Sequence, residues 1–89
     1  MNIFNGIGFY QHFKGGVYFK LLNARDCDNS AQTLSIYLAL QKNPPFKVGQ
    51  VWSRESEEFN GIHPATKVRR MEKLSLLDVG KLLYIKITN

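Results

Sequence analysis

The chain contains one cysteine, Cys27, in 89 residues, which excludes an intrachain disulfide and fits a reducing compartment. No apolar run approaches the roughly eighteen residues needed to cross a membrane as a helix. The opening Met1–Gly8 lacks the basic region and unbroken apolar stretch of a secretory signal, so a cytoplasmic protein with no membrane partner is expected. Histidine is scarce: His12 and His63 are far apart, and neither has a second histidine or carboxylate at metal-ligand spacing. No metal and no cofactor is therefore expected.

Acids are few in the last third. There Glu72 and Asp78 face Lys67, Arg69, Arg70, Lys73, Lys81 and Lys86, so four of the five net positive charges lie in this segment. Such a patch attracts phosphates through a field that salt screens over about 8 Å; a solubilising surface is the plainer reading.

A chain of 89 residues makes one domain, 1–89, burying about two thirds of its unfolded surface. Without a disulfide or metal to supplement one small core, homo-oligomerisation is the expected reinforcement.

Strand signals outnumber helix signals. In Leu34–Leu40 the even positions Leu34, Ile36, Leu38 and Leu40 are apolar, which predicts an inward face opposite Ser35, Tyr37 and Ala39. Val17–Leu22 repeats the alternation with Val17, Phe19 and Leu21 inward, which assigns Tyr18 and Lys20 to the non-core face. Asp26–Ser30 has the composition to join these strands as a hairpin. Pro44-Pro45 ends the second strand near Gln41, and a third is expected over about 47–53.

Glu55–Phe59 reads as one helical turn stopped by Asn60-Gly61, with Phe59 folding back on the core. In Thr66–Lys73 the spacing of Val68 and Met71 with Leu74 suits a helix while the tight charge spacing suits an edge strand, and the strand is the favoured reading. Ser75–Asp78 has the form of a helix cap opening a short turn before Gly80, and Leu83–Ile87 alternates as a last strand. Five or six short strands with one or two single-turn helices argue for a mainly β fold, a small barrel or a bent sheet.

His12-Phe13-Lys14-Gly15-Gly16-Val17-Tyr18, then Tyr37-Leu38-Ala39-Leu40, then Val51-Trp52-Ser53-Arg54 with Phe59 following, resemble a bacterial and phage domain family of unknown function. Its members carry a His-aromatic-Lys-Gly-Gly-x-Tyr opening, a Tyr-x-Ala-Leu strand and a Trp-x-Arg-Pro segment closing on Phe. The resemblance covers residues 10–62 and implies an SH3-like barrel, with 63–89 as a basic extension packed on it. The chain departs from the pattern in having Glu55 where the family has proline, and the longer 41–47 loop where the family has a short Gly-rich turn. If the chain is phage-encoded, the expected compartment is the host cytoplasm.

Catalytic constellations are missing. Asp26 and Asp28 surround the Cys27 thiol with negative charge, the reverse of what a nucleophilic cysteine needs. Glu55, Glu57 and Glu58 read as a solvated helix start, and Gly6-Ile7-Gly8 and Lys14-Gly15-Gly16 read as turns. No catalytic residue is assigned and no enzyme is expected.

What remains is binding chemistry. Tyr10, Tyr18, Tyr37, Trp52 and Tyr84 offer flat rings, and Lys14, Arg54, Arg69 and Arg70 offer cations. Stacking contributes about 1–3 kcal/mol per base, and arginine grips phosphate through two parallel bonds. Trp52 reads first as a packing aromatic. Arg54 shares its strand face by period two, and an arginine beside a tryptophan faces solvent, a subunit boundary or a ligand.

The ligand-binding set expected from sequence is His12, Lys14, Tyr18, Tyr37, Trp52, Arg54, Arg69 and Arg70, with His12 and Lys14 taken from the family motif. The expected partner is an anionic small molecule derived from a nucleotide, sequestered as a phage anti-defence sponge holds an immune signal. A single-stranded RNA- or DNA-binding barrel and a protein-interaction or inhibitor module are the alternatives.

Overall fold

The computed structural model describes residues 2–88, with side chains described for 2–82. Strands β1 (Gly8–His12), β2 (Val17–Arg25), β3 (Thr33–Ala39) and β4 (Val51–Glu55) precede the helical turn α1 (Ser56–Phe59). Strand β5 (Met71–Lys73) and helix α2 (Leu76–Thr88) complete the chain. The strands form one antiparallel sheet in the order β4-β3-β2-β1-β5.

The mainly β expectation is met, but the sheet is open. Its edges are β4 and β5, and no pairing between them closes a barrel among the described residues. Phe59 packs on one face of it instead. It is fully buried, with its ring 5.0 Å from Tyr10 on β1 and 5.2 Å from Tyr37 on β3. With Met71 these residues form the core, and Tyr18 and Trp52 pack against it.

This core reverses the faces expected for β3. Ser35, Tyr37 and Ala39 are the buried residues, while Leu34, Ile36 and Leu38 are half-buried on the opposite side. Lys20 and Asn23 of β2 are likewise buried on the core side. Tyr18 and Lys20 lie opposite Ala39 and Tyr37 of β3, so the faces expected for β2, with Val17, Phe19 and Leu21 inward, are reversed as well, although Val17 is buried all the same. A bulge between Lys20 and Leu22 then shifts the register and brings Asn23 to the core side. Tyrosine accounts for the reversal: its ring fills core volume while its hydroxyl finds a polar partner.

Three connections also differ from expectation. β4 begins only at Val51 because the preceding residues form a turn, in which Gln50 N–H donates to Lys47 O at 3.2 Å and Gly49 holds φ 89°. Of Thr66–Lys73 only β5 is strand, and the turn before it includes Lys67 at φ 61°. The cap at Ser75 forms, its Oγ accepting from Asp78 N–H at 3.1 Å, but α2 then runs through Gly80 to Thr88. The backbone of 83–87 is therefore helical, not a strand. A glycine costs a helix only about 1 kcal/mol relative to alanine, and Val79 is buried one turn in.

The segment before β1 straps across the core face. Tyr10 Oη donates to Gly6 O at 2.7 Å, Lys20 Nζ to Asn5 O at 3.2 Å, and Asn23 Nδ2 to Asn5 O at 2.9 Å and Asn2 O at 3.1 Å. The buried Lys20 and Asn23 are thus satisfied by backbone carbonyls, and the buried Ser35 by the Ser56 hydroxyl at 3.0 Å, as burial requires.

Candidate functional site

The turn joining β1 to β2 is the Phe13–Gly16 stretch. His12 N–H donates to Gly16 O at 2.8 Å and Gly15 N–H to His12 O at 2.7 Å, a closure that sets Gly15 at φ 104°, a region glycine tolerates without strain. Gly16 serves a different need. A Cβ there would lie 2.9 Å from Tyr18 Cε2 and 3.0 Å from its hydroxyl, so only glycine lets the Tyr18 ring fold against the turn.

Beside this turn is a cavity of about 480 Å³, within the range of small-ligand sites. His12, Lys14, Tyr18, Tyr37, Trp52 and Arg54 line it, so six of the eight residues expected from sequence converge. The pairing explains why: Tyr18 lies opposite Ala39 on β3, and Tyr37 lies opposite Trp52 on β4. Tyr18 and Tyr37 meet edge to face at 5.3 Å. Trp52 is braced by Phe46 at 4.8 Å.

Arg54 is held from two sides. Its Nε donates to the Tyr37 hydroxyl at 3.3 Å, and its guanidinium stands 3.6 Å from Glu58. The ion pair is exposed enough to orient the side chain more than to stabilise the fold.

The cavity wall carries Lys14, Lys42 and Arg54 and no carboxylate residue. His12 accordingly has its pKa pushed below 6.5, first by burial and then by the charges of Arg54, Arg70, Lys14 and His63. Its Nδ1 accepts from Lys14 N–H at 3.1 Å, which leaves the proton of the neutral ring on Nε2. Burial also raises the Tyr18 pKa, keeping that hydroxyl a donor. The site is a set of rings and hydrogen-bond donors with positive charge, suited to an anion bearing a planar group.

Arg69 and Arg70 do not line the cavity. Arg69 donates to Asn60 O at 3.4 Å. Arg70 stands behind the β1–β2 turn, where its carbonyl accepts from Phe13 N–H at 3.0 Å and its charge reaches His12. Lys73 lies beside Gly8 and acts on Lys20 at the other edge, so these cations of the last third are dispersed. Tyr10 belongs to the core, and Tyr84 lies outside the described side chains.

The cavity also takes in Gln41, Lys42 and Asn43, which were not among the residues expected. The departure of the 41–47 loop from the family pattern was the signal that could have found them. Gln41 Oε1 accepts from Val17 N–H at 3.2 Å, tying that loop to the start of β2, while its Nε2 is buried with no partner among the described residues. Asp26, Cys27 and Asp28 also bring ligand atoms within 4.8 Å of one another, but they are sequence neighbours at a hairpin tip and take no part in the cavity.

Residues 8–73 match the family described as Protein of unknown function (DUF1653). The chain belongs to this family. The match runs from β1 through β5 and includes every residue lining the cavity. It also takes in β5, beyond the 10–62 stretch over which the motifs resemble the family. No curated protein and no solved structure matches the chain. No helix among the described residues is long and apolar enough to cross a membrane.

Proposed function

We propose that this protein binds and sequesters an anionic, ring-bearing small molecule of nucleotide type without transforming it. The observation carrying this reading is the composition of one cavity wall: Tyr18, Tyr37 and Trp52 beside Lys14, Lys42 and Arg54, with no carboxylate residue. Rings take a base or similar plane by stacking, and the cations take the phosphate. With no acid to share proton transfer with His12, the wall favours retention over turnover. By analogy with compact phage-encoded sponges, the biological role we propose is sequestration of an immune signalling nucleotide.

Native mass spectrometry of the purified protein with linear and cyclic nucleotides tests the reading. A ligand retained stoichiometrically at unchanged mass supports it. A ligand returned at altered mass replaces it with an enzyme. Retention of long oligonucleotides alone, with a steep salt dependence, replaces it with single-strand binding, and capture of a protein with no nucleotide replaces it with an interaction module.

A further inference from the structure

Strand β4 forms one edge of the sheet, and its free side has a definite hydrogen-bonding register. Ala39 N–H donates to Gln50 O at 2.9 Å, and Tyr37 and Ser35 follow opposite Trp52 and Arg54. Backbone groups alternate sides along an antiparallel strand. Those of Trp52 and Arg54 therefore point toward β3, and those of Val51, Ser53 and Glu55 point outward. Val51 and Ser53 are exposed. The opposite edge, β5, has only three residues.

We infer that β4 pairs antiparallel with β4 of a second copy about a twofold axis at Ser53, so that the two cavities share a rim. A register centred on Ser53 pairs all three outward-pointing residues: Ser53 faces Ser53, and Val51 faces Glu55, in each direction, with the exposed Gln50 Nε2 that donates to Val51 O at 3.1 Å displaced by the incoming strand. Between these pairs, Trp52 of one copy stands opposite Arg54 of the other. This is the closer, non-hydrogen-bonded kind of pair, and a guanidinium over an indole is a favourable contact there.

The occupant is a second copy because the strand complements itself. Ser53 is small enough to meet its counterpart at the axis, and ring meets cation on both sides of it. Continuing the register brings the turn carrying Lys47 beside the turn carrying Glu57 and Glu58, opposite charges at each end of the ribbon. Each cavity then gains a ring and a cation from its neighbour, because Trp52 and Arg54 line it already. The pairing does not depend on the ligand reading, and its test needs no ligand.

The full chain, measured by native mass spectrometry or light scattering, should have twice the mass of the 10.2 kDa monomer. Ser53→Pro removes an outward N–H and none of the bonds to β3, a placement proline tolerates on an edge strand, and should give monomer with an unchanged far-ultraviolet spectrum. Cysteine trapping gives a second readout should that variant fail to fold. With the exposed Cys27 changed to Ser, Ser53→Cys should oxidise to a covalent dimer, since directly opposed residues of a hydrogen-bonded pair lie about 5.5 Å apart. Val51→Cys should do so at least tenfold more slowly, and Val51→Cys with Glu55→Cys should cross-link again. A monomeric wild type, or equal trapping at Val51→Cys and Ser53→Cys, overturns the inference.

Discussion

Tyr37 accepts a hydrogen bond from Arg54 Nε at 3.3 Å while its own ring packs 5.2 Å from Phe59. One side chain thus joins the core to the cavity wall. Burial on one side fixes the tyrosine, and its hydroxyl fixes the arginine, so the cation is oriented before any ligand arrives. Such preorganisation lowers the ordering cost of binding.

Tyr37→Phe tests that link. The ring keeps its packing and Arg54 loses its anchor, so stability should change little while affinity for a nucleotide-type ligand falls about fivefold, the equivalent of about 1 kcal/mol, the net contribution of a typical hydrogen bond. Arg54→Gln removes the charge itself and should weaken binding further. Titration calorimetry on the two variants separates these effects, and wild-type affinity in Tyr37→Phe would show that Arg54 does not need its anchor.

Gly16→Ala should disturb the cavity from below. The added methyl would meet the Tyr18 ring at 2.9 Å, and the ring is packed against Tyr37, so it must swing outward. A destabilisation of about 1–3 kcal/mol, the usual cost of overpacking, together with loss of binding, is expected from thermal melts and titration. An unchanged melting temperature with full binding would mean that Tyr18 moves freely.

Lys20 gives the fold a characteristic pH dependence. It is buried, its Nζ bonded to Asn5 O and 5.2 Å from the Phe59 ring centre. Burial, reinforced by Lys73, lowers its pKa from 10.5. The unfolded chain therefore holds this proton to higher pH than the folded chain. Stability should rise with pH between the folded pKa of Lys20 and 10.5. Tyr10 and Tyr18, whose pKa values burial raises above 10.0, act oppositely: stability falls once these tyrosines ionise in the unfolded chain, above about pH 10. Urea melts across the alkaline range should show the rise before the fall. Lys20→Met should abolish the rise and leave the fall.

The sequence shows the strands β2 and β3, the α1 turn and the inward Phe59 because each depends on local pattern: alternation, turn residues and a stop at Asn60-Gly61. It misleads about which face of β3 is the core because both faces are apolar enough to be buried. Hydropathy favours Leu34, Ile36 and Leu38, while the position of Phe59 selects Ser35, Tyr37 and Ala39. β1 escapes notice because Gly8–His12 is short and its pairing with β5 is nonlocal. The candidate site is more legible than the fold. Trp52 and Arg54 share a face whichever face that is, and His12, Lys14 and Tyr18 flank one tight turn, so their convergence survives the reversal. Arg69 and Arg70 were assigned by charge alone, and charge carries no information about direction.

His12 should report the arrival of an anion. Its folded pKa is below 6.5 because burial and surrounding cations disfavour its charged form, and a phosphate bound among Lys14, Lys42 and Arg54 would offset those charges. Binding should then raise the His12 pKa and draw a proton from solution. Affinity should increase as pH falls from neutrality and level off below the free protein's His12 pKa, by linkage between proton and ligand. Calorimetry in two buffers of different ionisation enthalpy measures the proton taken up. His12→Gln keeps a polar side chain at the turn without a titrating group, so it should bind with no proton uptake and a flat pH profile over this range. Proton uptake that persists in His12→Gln would assign the titrating group elsewhere.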